Sequence, residues 1–351
     1  MREIAIINAC TDLGVNVNGA SLGAKTLTKD LEYSNISKFY TVIDSQNKQE
    51  VDLKSITTNK NDINDFVKEF NSLLLCMHKL HFEENMSSEE VTQYNKKMHD
   101  LVLAVKALDS ENEKRNLVSI NKFNEELYRI VRDAIKDGSF PITVGGDHIV
   151  AIGSSLASLK EHENLGIIWF DSHADYNTYS TSVTGNLHGL PLAVVDHYEK
   201  DILSDFHQGP FYSPKNTVIV GGRDIDPWEW GNILDAGVTV FSTNDIKKYG
   251  AEEICKKAFE IASAGTNGVH ISFDLDLIDP KVAPGVSVPA KDGINLKETK
   301  SLVNEITKYK DIIKSADLVE YNPIYDIDNK TAELAKEILQ NFIIKFEKLA
   351  H

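Results

Sequence analysis

Leu165-Gly166-Ile167-Ile168-Trp169-Phe170-Asp171-Ser172-His173-Ala174-Asp175-Tyr176-Asn177 is the stretch that decides how this chain is read. Its apolar first half has the length and composition of a strand buried on both faces of a parallel sheet. The run stops at Asp171. Three potential metal ligands, Asp171, His173 and Asp175, then follow at alternate positions. In open α/β sheets, ligands bind at the carboxyl ends of strands. Two carboxylates and an imidazole converging there suit a hard or borderline divalent cation. The alternative for this stretch alone is a solvated acidic loop.

Working outward, strand-like runs recur at 3–8, 140–144, 217–221, 238–241, 268–273 and 315–319, with helical periodicity between them. That alternation predicts an α/β domain built on a mostly parallel, doubly wound sheet. Leu27 to Leu31 begin a short helix. A longer one covers 120–136, with Phe123, Leu127, Ile130, Val131 and Ile135 on one face. Residues 50–118 differ in character: polar, rich in Asn and Lys, and helical in period, with Val91, Tyr94, Met98, Leu101, Val102 and Val105 as one stripe. This reads as a helical insertion within a single domain 1–351, used for packing or oligomer contact. No ligand cluster falls in it, and His78, His81 and His99 read as surface or packing residues.

Composition narrows the function classes. Of 351 residues, 42% are apolar, ample for a core. No apolar run approaches the roughly eighteen residues of a membrane span, and the first residues read as a strand rather than a signal peptide. Cys10, Cys76 and Cys255 are odd in number and far apart. They argue against a disulfide framework or a zinc-thiolate site and for a reducing cytoplasm. A net charge of −16 argues against nucleic acid or an anionic membrane as partner.

Two further strand ends carry chemistry. Gly145-Gly146-Asp147-His148 closes the run at 140–144. Its glycines permit a tight turn with backbone close to a bound species, although alone it is equally a turn with a packed histidine. Ser272-Phe273-Asp274-Leu275-Asp276-Leu277-Ile278-Asp279-Pro280 ends another buried strand in carboxylates spaced two apart. Burying these without a cation or backbone donors costs several kcal/mol. Together the three strand ends offer His148, Asp171, His173, Asp175, Asp274 and Asp276. Four carboxylates and two imidazoles are too many for one catalytic zinc. They suit two ions roughly 3.5–4 Å apart that share bridging carboxylates and deliver hydroxide at neutral pH. The oxygen-rich set favours Mn²⁺ over Zn²⁺.

This ordered set of motifs resembles the ureohydrolase family of arginases, agmatinases and formiminoglutamases, over nearly the whole chain outside 50–118. The resemblance implies a three-layer α/β/α fold, a di-manganese centre (Co²⁺ a possible substitute) and hydrolysis of guanidino-type groups. It implies that His148, Asp171, Asp175 and Asp274 hold one ion and Asp171, His173, Asp274 and Asp276 the other, with Asp175 also orienting the hydroxide.

Within the family the chain is most similar to arginases. Asn177 to Gly189 resembles their substrate loop. Asn177, Ser182, Thr184 and Asn186 form a row of neutral donors suited to an α-carboxylate, although a polar turn-rich loop has the same composition. By the same likeness, Asp226 and Glu229 in Arg223-Asp224-Ile225-Asp226-Pro227-Trp228-Glu229 contact an α-ammonium; as a bare motif this is also an acidic helix start. Glu320 pairs with the guanidinium and His188 shuttles protons. Val288, Leu277 and Lys297 depart from common family residues. The resemblance thus implies release of urea and L-ornithine from L-arginine by a homo-oligomer, trimer or hexamer. The alternatives are another ureohydrolase, a single-zinc deacetylase of related fold, or a non-catalytic, metal-stabilised interaction protein.

Overall fold

Runs rich in Ile, Val and Phe fold as eight strands of one sheet: β1 (Ile4–Cys10), β2 (Ile36–Ile43), β3 (Phe140–Gly145), β4 (Gly166–Phe170), β5 (Thr217–Gly222), β6 (Thr239–Ser242), β7 (Val269–Asp274) and β8 (Ile313–Val319). The computed structural model describes residues 3–29, 31, 36–43, 117–182, 184–200 and 202–347. All but the last two positions of the insertion at 50–118, with its three histidines, lie outside them. The strand order is β2-β1-β3-β8-β7-β4-β5-β6. Every pairing is parallel, so the sheet of the described residues is parallel throughout rather than mostly so.

Successive side chains of a strand point to opposite faces, and β4 shows the consequence. Ile168 and Phe170 enter a core shared with the helices Thr243–Ala262, Leu296–Lys308 and Lys330–Phe346. Ile167 and Trp169 enter a second core under the helices 117–136, Val150–His162, Pro191–Val195 and Pro227–Ala236. The molecule is therefore three layers, helices on both faces of the sheet. None of the described helices is long and apolar enough to cross a membrane.

Two local features differ from the sequence expectation. Strand β2 was not among the predicted elements. It lies at the sheet edge, where Phe39 and Ile43 remain exposed while Val42 is buried, so its pattern lacks the continuous apolar run of a central strand. The short helix runs Gly23–Thr28 and so starts before Leu27. Gly23 lies against the Tyr321 carbonyl, where a Cβ would come within 2.2 Å of the oxygen.

In a parallel sheet all carboxyl ends share one edge. Here β3, β8, β7 and β4 are consecutive, so four adjacent strands empty at the middle of that edge. Those strands end in His148, Glu320, Asp274 and Asp171. Gly145 ends β3 and Gly146 follows it. A Cβ on Gly146 would lie 1.7 Å from Thr11 O, so this glycine admits the neighbouring chain after β1.

Candidate active site

The centre is built on His148. Its Nδ1 lies 3.1 Å from Asp171 Oδ2, 3.1 Å from Asp175 Oδ2 and 3.0 Å from Asp274 Oδ2. That nitrogen is buried and has no hydrogen-bond partner. The other nitrogen, Nε2, is 2.9 Å from Ser272 Oγ, and the ring stacks on Trp169 at 3.9 Å between centroids. The imidazole is thus fixed with one nitrogen aimed into three carboxylate oxygens. His173 repeats the theme: its Nδ1 is 3.1 Å from Asp276 Oδ2 and 3.6 Å from Asp171 Oδ1. Two ligand groups emerge, His148/Asp171/Asp175 and Asp171/His173/Asp276, sharing Asp171. Asp274 joins the first through Oδ2, while its Oδ1 accepts from Asp276 N at 2.7 Å.

Backbone and side-chain donors of the fold hold these carboxylates in place. Asp171 Oδ1 accepts from His173 N at 2.7 Å and Oδ2 from Trp169 Nε1 at 2.9 Å. Ser172 donates to Asp276 Oδ1 through its hydroxyl at 2.7 Å. Asp175 and Glu320 adopt left-handed backbone, φ 50° and 67°. Such conformations cost non-glycine residues of order 1 kcal/mol and persist where surroundings enforce them. Arg223, after β5, clamps the β7 end: its guanidinium donates to the carbonyls of Asp276 at 2.8 Å, Leu277 at 3.1 Å and Ala290 at 2.9 Å. Sequence reasoning passed over Arg223 because its partners are backbone atoms far along the chain.

The electrostatics call for positive charge. Burial, then Asp171 beside it, pushes the Asp175 carboxyl up to about 6. Burial, then Asp276 and Asp171, raises Asp274 well above the carboxylate range. Burial also works against charging His148, yet Asp171, Asp175 and Asp274 raise that ring well above an ordinary histidine. A buried imidazole nitrogen without a hydrogen-bond partner faces three carboxylate oxygens, and a second, partly buried imidazole beside it faces two; this donor set fits a pair of divalent cations.

Around the centre, Glu320 Oε1 accepts from His148 N at 2.9 Å and lies 3.0 Å from His188 Nδ1, while Oε2 is buried without a hydrogen-bond partner. Burial lowers the His188 ring's affinity for a proton, but Glu320, Asp175 and Asp147 outweigh it and raise the pKa. Asp147 is an unforeseen member of this shell. It is buried, accepts from Gly14 N at 2.7 Å, and is pushed up to about 7 by burial and by Glu320. Gly14 O in turn accepts from His188 N at 3.0 Å.

The loop from Asn177 to Gly189 follows Asp175 in the chain. Asn177 Nδ2 is 3.4 Å from Asp226 Oδ2. Ser182 Oγ and Thr184 Oγ1 accept from Gly185 N and Asn186 N, closing the turn, while Asn186 Oδ1 is buried without a hydrogen-bond partner. Asp226 and Glu229 form a capping box that starts the helix Pro227–Ala236. Both Glu229 oxygens accept from backbone, Oε1 from Tyr176 N at 2.8 Å and Oε2 from Asp226 N at 3.1 Å. Glu229 therefore ties the chain after Asp175 to this helix.

A family profile described as Arginase family matches residues 2–345. The arginase of Bacillus subtilis (strain 168) is 37% identical over 249 residues, 70% of this chain and 83% of that one. The arginase of Brevibacillus brevis is 39% identical over 237 residues, 66% of this chain and 78% of that one. Among solved structures, the native arginase of Bacillus caldovelox superposes with a TM-score of 0.75 at 26% identity, covering 100% of both chains.

Proposed function

Because the chain belongs to the arginase family, we propose that it hydrolyses L-arginine to L-ornithine and urea. The observation that carries this reading is the pair of His/Asp groups, one buried and one partly buried, that share Asp171. We assign His148, Asp171, Asp175 and Asp274 to one ion, and Asp171, His173, Asp274 and Asp276 to the other. Mn²⁺ is the metal, with Co²⁺ as a substitute. Bound there, the pair supplies hydroxide at neutral pH by lowering the pKa of water.

The rest is work for the chain's own residues. Glu320 Oε2, the buried oxygen without a hydrogen-bond partner, accepts from the guanidinium and sets its carbon against the nucleophile. Asp175 carries the proton from the attacking water to the leaving nitrogen. His188, held by Glu320, exchanges protons with solvent as ornithine leaves. Asn177, Ser182, Thr184 and Asn186 receive the α-carboxylate, and Asp226 with Glu229 the α-ammonium. Agmatine lacks the carboxylate and would leave the first row unused. The enzyme works in the cytoplasm as a homo-oligomer, trimer or hexamer, of one domain with an insertion at 50–118.

The test is urea and ornithine release by protein loaded with Mn²⁺, with agmatine assayed beside arginine. Release of urea from agmatine but not from arginine would overturn the substrate assignment.

A further inference from the structure

One hydroxyl in the substrate loop, Thr181 Oγ1, lies outside the row of donors named above. It accepts hydrogen bonds from Thr178 N at 2.8 Å and from Asn232 Nδ2 at 3.1 Å. A hydroxyl has two acceptor lone pairs and one proton. With both lone pairs taken, the proton is what remains. Its nearest acceptor is Asn177 Oδ1 at 3.0 Å, with Thr178 O farther at 3.4 Å; Thr178 Oγ1, 3.2 Å away, stands on the donor side and can give its proton to Ser180 Oγ at 2.9 Å instead. At the other end of the same amide, Asn177 Nδ2 faces Asp226 Oδ2 at 3.4 Å. The oxygen and nitrogen of an amide are told apart by their partners. Here a donor on one side and a carboxylate on the other demand the same orientation. Asn232 holds the arrangement from the helix Pro227–Ala236, since its Nδ2 also donates to Tyr176 O at 3.1 Å.

We propose that Thr181 and Asn232 are positioning residues that lock the Asn177 amide with its N–H groups toward the substrate's α-carboxylate, and so set selectivity for amino acids over decarboxylated amines. The inference rests on the substrate reading above. In the opposite orientation Oδ1 would face both Asp226 and the incoming carboxylate, which repels each. Asp226 takes one N–H of the correctly turned amide and leaves the second for the ligand.

Binding of L-ornithine and of putrescine, the same diamine without the carboxylate, is measured calorimetrically on the Mn²⁺-loaded full chain, beside arginine kinetics. Thr181→Val keeps the shape and removes the hydroxyl, its proton and both of its acceptor sites together. It should weaken ornithine about tenfold and raise KM for arginine equally, while kcat stays within about threefold and putrescine within about twofold. Thr181→Ser should restore ornithine binding. Should Thr181→Val fail to fold, Asn232→Ala frees the hydroxyl to turn away and should weaken ornithine alone by about threefold. Equal losses for both diamines, no loss for either, or a wild-type protein that binds both alike would each overturn the lock. A wild-type protein that prefers ornithine but releases no urea from arginine would overturn the reaction and leave the lock standing.

Discussion

Asp171 is the residue on which the centre turns, because both ligand groups contain it. Burial favours its neutral form, but His148 and His173 hold its carboxyl well below the usual range. Asp171→Asn keeps the shape and removes the shared charge. Changes to residues behind a metal ligand typically cost 10- to 100-fold in affinity, so losing a shared ligand should cost at least about 100-fold, read by equilibrium dialysis of Mn²⁺. Asp196 makes a different prediction. It is buried, accepts from the Tyr176 hydroxyl, and burial pushes its carboxyl up to about 7, against a lowering by Tyr176 and by Tyr198 N. Between its ordinary value of 3.8 and about 7, the folded chain keeps a proton that the unfolded chain has released. Stability from this residue is therefore full at low pH and falls by roughly 1.4 kcal/mol per unit as pH rises through that window. Asp196→Asn should remove that slope, so its stability relative to wild type climbs from pH 4 to 7 in urea titrations. A constant difference across the window would refute the assignment.

At the scale of elements, the site depends on how closely strand ends approach one another. Gly146 touches Thr11 and Gly221 touches Asp171 O, where Cβ atoms would fall at 1.7 and 2.6 Å from the backbone oxygens. Gly221 also has φ 114°, in the region that only glycine enters freely. Gly146→Ala should destabilise the protein by about 3 kcal/mol or more, since backbone cannot step aside as a flexible side chain can. Gly231 provides the contrast. It is exposed within the helix Pro227–Ala236, and a Cβ there meets nothing within 4 Å. Gly231→Ala should stabilise by about 0.5–1 kcal/mol. Thermal melts of both variants check the pair; equal and opposite signs from those stated would show that the packing at these two elements is wrong.

At the scale of the whole molecule, the proposed ions would be coupled to the fold. Six carboxylates and two imidazoles, counting Asp147 and Glu320 with the six candidate ligands, crowd one sheet edge in a chain of net charge −16. Metal bound only by the folded chain should raise its stability by about 2.7 kcal/mol for each site held at 100 times its dissociation constant. The expected result is a higher melting temperature in Mn²⁺ that a chelator reverses. No shift in either direction would mean that the ligand groups do not hold metal. Because Asp175 retains a proton up to about pH 6, the metal-dependent gain should shrink as pH falls through that value.

The sequence by itself determined the sheet and the three strand ends whose polar residues the fold brings together. Each rests on local pattern: an apolar run long enough for a buried strand, then polar residues two apart, which a strand end turns toward one edge. Only the tertiary structure decided the rest. Strand β2 escaped notice because an edge strand keeps one side in solvent and loses the apolar signature. Arg223, Asp147 and the pair Thr181–Asn232 escaped because their partners lie far along the chain, 51 positions apart for Asn232 and Thr181, and many are backbone atoms that leave no mark in composition. That Asp171 is shared is likewise a fact of distance. Spacing along the chain can propose two ions, and it puts His173 two positions from Asp171, but only the order of strands in the sheet brings His148, from the end of β3, to the same carboxylate.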